Sequence, residues 1–157
     1  MTNSPAARAT NIHAQLNDEL TSLRAFVVLL ESEQQALLGN DTERLLNIAE
    51  SKAQAASQLA AMAEARRKAF LAGSSDTMEA WLPKHAPASL PLWQSIRQMA
   101  AQAQQINTTN GELIQSGLRR NQQALSALNS ASQNAAGLYG PDGQPSLGSS
   151  GRIIGSV

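Results

Sequence analysis

The sequence predicts an all-α protein: an antiparallel helical hairpin packed on one long C-terminal helix, with a short connector helix and a flexible tail. Composition is the first indication. Of 157 residues, 27 are alanine, 20 leucine and 15 glutamine, against only 10 valine plus isoleucine, so local propensity favours helix over strand. Periodicity is the second, because apolar residues recur at spacings of three, four and seven through three long segments and nowhere alternate as in a strand. The third is punctuation, since glycine and proline cluster in only a few places and divide the chain there.

The first helix is expected from about Asn11 to Leu38, with Ile12, Leu16, Leu20, Leu23, Val27, Leu30 and Leu37 along one stripe. Gly39 is expected at its C-terminal cap, and Asn40 is expected to cap the second helix, with Glu43 three residues on completing a capping box. The second helix, about 41–72, carries Leu45, Ile48, Lys52, Ala55, Leu59, Met62, Arg66 and Phe70 on one side and ends at Gly73-Ser74-Ser75. Pro83, Pro87 and Pro91 limit the next stretch to one short helix within 76–83, centred on Met78 to Leu82. Trp81 and Trp93 flank this connector and are expected to plug the end of the bundle.

After Pro91, the stripe Trp93, Ile96, Met99, Ala103, Ile106, Asn110, Leu113, Gly117, Asn121, Leu125 and Leu128 predicts a helix over 91–136. The bundle is therefore expected over 1–137 and a Gly/Pro-rich tail over 138–157. At 1.5 Å per residue the first two helices come to roughly 40–45 Å and the last to nearly 70 Å. Antiparallel packing on the hairpin accounts for its first portion only, and leaves about four turns from Asn121 without a partner in the chain. Leu118, Leu125 and Leu128 share one face of that portion, and an uncovered apolar helix face marks a binding surface for another chain.

Charge and motif content exclude most other functions. Twelve Lys plus Arg balance twelve Asp plus Glu, so the basic footprint of a nucleic-acid binder is missing. The longest apolar run is Phe26–Leu30, and residues 1–14 lack the pattern of a signal peptide, so no membrane insertion is expected and the protein is read as soluble and cytoplasmic. No cysteine is present to build a disulfide or a thiolate metal site. His13 and His85 lie in different segments outside any helical metal-ligand pattern and are read as surface residues, so neither metal nor cofactor is expected. Glu31 and Glu33 diverge on their helix, no glycine-rich phosphate loop exists, and no small-molecule substrate or catalytic residue is expected. Arg66, Arg67 and Lys68 are read as favourable charge near a helix C-terminus, and Arg119 with Arg120 as a solvated face.

Asn107, Asn110 and Gly111 in mid-helix each cost several tenths to about 1 kcal/mol relative to alanine. Asn110 falls on the seam, where a hydrogen-bonded amide fixes register, and Gly111 is expected to admit a neighbouring helix closely.

The segment Leu29-Leu30-Glu31 through Ala36-Leu37-Leu38, the turn ending in Asp41, then Leu45, Lys52 and Leu59, resembles the first half of FlgN-type flagellar export chaperones. Asn107-Thr108-Thr109-Asn110-Gly111-Glu112-Leu113-Ile114 is similar to that family's mid-helix asparagine-glycine motif. Leu138-Tyr139-Gly140-Pro141-Asp142-Gly143-Gln144 is similar to its Tyr-x-x-x-Gly element, so the resemblance spans about Leu16 to Gln144. It implies a cytoplasmic, non-enzymatic chaperone that binds the C-terminal helical segments of the hook-filament junction proteins FlgK and FlgL and brings them to the flagellar type III export gate. Client binding would map to about Ile114–Ala135, and together with the uncovered face this nominates Ile114, Leu118, Asn121, Ala124, Leu125 and Leu128. Docking to the export-gate membrane protein would map to Tyr139. The connector from Ser74 to Pro91 has no counterpart in the resemblance. A self-associating coiled coil is the alternative, in which the same face dimerises.

Overall fold

The computed structural model describes residues 4–71 and 76–138, and no strand occurs among them. In order come α1 (Pro5–Leu38), α2 (Thr42–Leu71), α3 (Met78–His85), a 3-10 turn (Pro87–Ser89) and α4 (Leu90–Leu138). The chain divides into two compact units, one ending at Ile114 and the other beginning at Gln115, so α4 contributes to both. Within the first unit the long C-terminal helix packs against α1 and α2, which is the all-α architecture the periodicity predicts.

Helix α1 begins six residues before the expected Asn11, because Pro5 suits the first helical position and the alanines after it are strong helix formers. The caps of the hairpin turn lie one residue later than expected. Gly39 has ordinary right-handed geometry, and Asn40 takes the left-handed position with φ 52°. The Asp41 N–H then reaches the Ala36 carbonyl at 2.9 Å and the Asn40 N–H reaches Leu37 at 3.4 Å, which together close the end of α1. With Asn40 so used, Asp41 caps α2 instead: its Oδ1 accepts the Arg44 N–H at 3.1 Å.

The connector exceeds its expectation as well, since α3 continues through Pro83 to His85. Thr77 caps its start by accepting the Ala80 N–H at 3.3 Å. At its other end the His85 Nδ1–H donates to the Trp81 carbonyl at 3.1 Å, and the Ala86 N–H closes the helix on the Leu82 carbonyl at 2.9 Å. Trp81 is buried, meets Phe70 edge-on at 5.8 Å and stacks on His85 at 4.7 Å. Residues 72–75, where α2 was expected to end, lie outside the described residues.

The apolar core runs along α1 as Ile12, Leu16, Leu20, Leu23, Val27 and Leu30, and is completed by Phe70, Met78, Leu82, Ile96 and Ala103. Two polar layers cross it. In the first, Glu19 of α1 accepts from the Arg66 guanidinium of α2 at 2.7 and 3.3 Å, and that guanidinium lies 4.7 Å from the centre of the Trp93 ring on α4. In the second, Glu33 of α1 accepts from Lys52 Nζ at 2.9 and 3.1 Å and from Asn110 Nδ2 of α4 at 2.8 Å. Glu19 to Glu33 and Lys52 to Arg66 are equal steps of about four turns in opposite chain directions, so the layers fix the antiparallel register of α1 and α2. Since Trp93 is level with Glu19 and Asn110 with Glu33, α4 runs parallel to α1. Arg66 is thus an interhelical partner rather than a helix-end charge. Of the three neighbouring cations, Lys68 is the one in the last turn of α2.

Candidate functional site

The second unit is described from Gln115 to Leu138 as unbroken helix. Its sequence is rich in alanine, leucine and glutamine, and contains no proline and no β-branched residue, so helix is the local preference. From Leu118 to Gly137 every side chain is exposed. The large apolar ones are Leu118 at 56%, Leu125 at 61% and Leu128 at 67% exposure. Steps of seven and three put these leucines on one face, where Asn121, Ala124, Leu125 and Leu128 line a shallow open depression. Five of the six nominated binding residues therefore lie together on this helix. The sixth, Ile114, is the last residue of the first unit and is 42% exposed. Tyr139 and the tail after it lie outside the described residues.

Burial along α4 is graded. Ile96, Ala103 and Asn110 are buried, Met99, Ile106 and Leu113 are half-buried, and the same stripe continued to Asn121, Leu125 and Leu128 is exposed. What an exposed apolar stripe of this kind can do chemically is bury itself against another apolar surface.

Asn110 ends the covered part of the stripe. It is 1% exposed, and its amide nitrogen donates both hydrogens, to the Leu30 carbonyl at 2.9 Å and to Glu33. Its Oδ1 is buried without a protein partner, and the opposite amide orientation would set that oxygen against two acceptors. The seam reading of Asn110 thus acquires its partners, whereas the reading of Gly111 does not hold: a Cβ there would meet nothing within 4 Å, so no helix approaches it closely.

Other chemistry-bearing groups serve the fold. His13 is exposed and its Nδ1 lies 2.9 Å from the buried Ser89 Oγ, tying α1 to the turn before α4. Glu79 accepts from the Trp93 indole at 3.0 Å and faces Arg97 at 3.2 Å. Its own backbone N–H, then the Trp93 indole and, more weakly, Arg97 and Arg66 hold its carboxyl below the usual range against a small opposing effect of burial. Among the described residues no group of three or more histidines and carboxylates could hold a metal ion. No helix among them is long and apolar enough to cross a membrane.

The composition pattern did not reveal the Glu19–Arg66 and Glu33–Lys52 pairs. Their signal was available: carboxylates on the apolar face of the first helix and cations on that of the second, at matching intervals.

The fold and this face define a small helical bundle whose long last helix carries an exposed apolar stripe. A family model described as FlgN protein matches residues 1–146. The chain belongs to the FlgN family, a non-enzymatic family of flagellar export chaperones. Among curated proteins and among solved structures nothing matches it.

Proposed function

We propose that this chaperone acts in the cytoplasm, binds the C-terminal helical segments of FlgK and FlgL, and delivers them to the flagellar type III export gate. The exposed stripe of Leu118, Leu125 and Leu128 is the observation that carries this reading. With Asn121 and Ala124 beside them, and Ile114 one turn upstream, these leucines form the client site. A client helix laid along the stripe buries side chains worth roughly 1.5–3 kcal/mol each at full burial, before the cost of ordering the complex.

Calorimetry of the full chain against the C-terminal helical segment of a hook-filament junction protein tests it, with Leu125→Asp and Leu128→Asp compared to the parent and circular dichroism run alongside. Both variants should keep their helix and lose at least about tenfold in affinity, roughly 1.4 kcal/mol. Undiminished affinity in both moves the site elsewhere, and loss of helix in both assigns the leucines to the core.

Delivery is assigned to Tyr139, which follows α4 directly in sequence. Tyr139→Ala should leave client affinity intact and weaken binding to the export-gate membrane protein. Equal gate affinity of the two forms refutes that role.

A further inference from the structure

The zero net charge of the chain conceals an uneven distribution. Residues 1–114 hold nine Lys plus Arg against eleven Asp plus Glu, whereas residues 115–157 hold three Arg against one Asp. In the described part of the second unit the charged side chains are Arg119 and Arg120, both exposed, and no carboxylate lies between Glu112 and Leu138. The ion pairs of Arg66, Arg67 and Arg97 have no equivalent there. Two guanidiniums with no counter-charge among the described residues therefore flank the leucine stripe, one on either side.

We propose that the partner fitting this face is an acidic amphipathic helix, whose carboxylates border its own apolar stripe on the side nearest Arg120. The inference rests on the client-site reading above and adds the chemistry of the client. The two arginines are not equivalent. Arg120 has Gly117 three residues before it and Ala124 four after, small neighbours that let its side chain lie along the edge of the stripe. Arg119 stands about as far from the leucines on the opposite flank, where the longer Gln115 and Gln122 lie between it and the stripe. Arg120 thus meets a partner carboxylate directly, while Arg119 acts mainly through the positive potential that draws an acidic helix in. A second copy of the same face brings the same two cations and no carboxylate, so like charges oppose self-pairing.

The test uses the full chain and three synthetic helical peptides with identical leucine positions, their flanking positions all Glu, all Gln or all Lys. At about 50 mM salt, the Glu peptide should bind at least about tenfold more tightly than the Lys peptide, with the Gln peptide between them. At about 0.5 M salt the difference should shrink to within about threefold, as screening removes it. Arg120→Glu should invert the ranking, and Arg119→Glu should slow association of the Glu peptide with a smaller loss of affinity. Equal affinity of the three peptides at low salt, with Leu125→Asp abolishing all of it, overturns the charge preference and leaves the client-site reading standing. Failure of the Glu peptide to bind overturns the preference even where a junction-protein segment binds. If that segment fails too, the site itself is refuted. Concentration-dependent dimerisation through Leu125 in ultracentrifugation overturns the acidic partner in favour of a second copy.

Discussion

Replacing Arg66 by methionine tests whether the polar layers hold the bundle in register or merely fill it. The methionine keeps most of the apolar stem and removes the charge, so it strands the Glu19 carboxylate inside the bundle. Glu19 and Arg66 side chains are 8% and 16% exposed, which places the pair among buried ion pairs rather than surface ones. Removing one partner of a buried pair costs about 3–5 kcal/mol, and the partial exposure of Arg66 argues for the lower end. Loss of the guanidinium over Trp93 adds about 0.5–1 kcal/mol. Arg66→Met should therefore lose about 3–4 kcal/mol in urea denaturation followed by circular dichroism at pH 7. Because the pair is buried, the loss should persist at about 0.5 M salt.

The double variant Glu19→Leu with Arg66→Met decides the interpretation. An apolar pair of similar volume removes both desolvation penalties, so the double variant should return to within about 1 kcal/mol of the parent. Glu19→Leu alone leaves a cation that can reach water along its stem and should cost about 1–2 kcal/mol. The resulting coupling exceeds about 2 kcal/mol, well above the error of such a cycle. A loss under about 1 kcal/mol for Arg66→Met, or a double variant as unstable as the two singles added together, refutes the reasoning.

Asn110→Leu removes the bonds to Leu30 and Glu33 and the orphaned Oδ1 together, so analytical ultracentrifugation should show altered register or self-association out of proportion to any change in stability; an unchanged structure with a higher melting midpoint and intact client binding counts against it. Gly111→Ala should raise stability by about 0.5–1 kcal/mol in the same urea assay, because it removes mid-helix backbone freedom and meets open space. Glu79 has its carboxyl pKa depressed in the folded state, so its contribution is present above the ordinary carboxylate range and is lost as pH falls through the lower folded value. The Trp93 indole resonance in NMR should report that loss on acidification, and Glu79→Gln should abolish the titration.

Most of the helical architecture was legible because it depends on periodicity, which tertiary context rarely reverses. Ile12, Leu16, Leu20, Leu23, Val27 and Leu30 all proved buried, and every position assigned to the inner side of α2, from Leu45 to Phe70, is buried or half-buried. What escaped were choices between neighbours of similar chemistry. Gly39, Asn40 and Asp41 can each end or begin a helix, and the backbone bonds from Ala36 and Leu37 decide that Asn40 takes the left-handed position. Pro83 reads as a helix stop, yet it costs an eight-residue helix only one hydrogen bond, and Thr77 satisfies a free N–H at its start. Gly111 was read by analogy with close helix contacts, and no sequence pattern distinguishes a glycine at a contact from one facing open space.

The exposed face was legible for a different reason: it follows from unequal helix lengths, and α4 has 49 residues against 34 and 30 for its partners. Along α4 the buried seam steps through Ile96, Ala103 and Asn110, whereas every side chain from Leu118 to Gly137 is exposed. The bundle obtains its burial from that seam and its register from Glu19 and Glu33, and neither source involves a side chain from Leu118 onward. Substitution of Leu125 or Leu128 therefore removes no core contact, and any affinity that falls with it belongs to the interface formed with another chain.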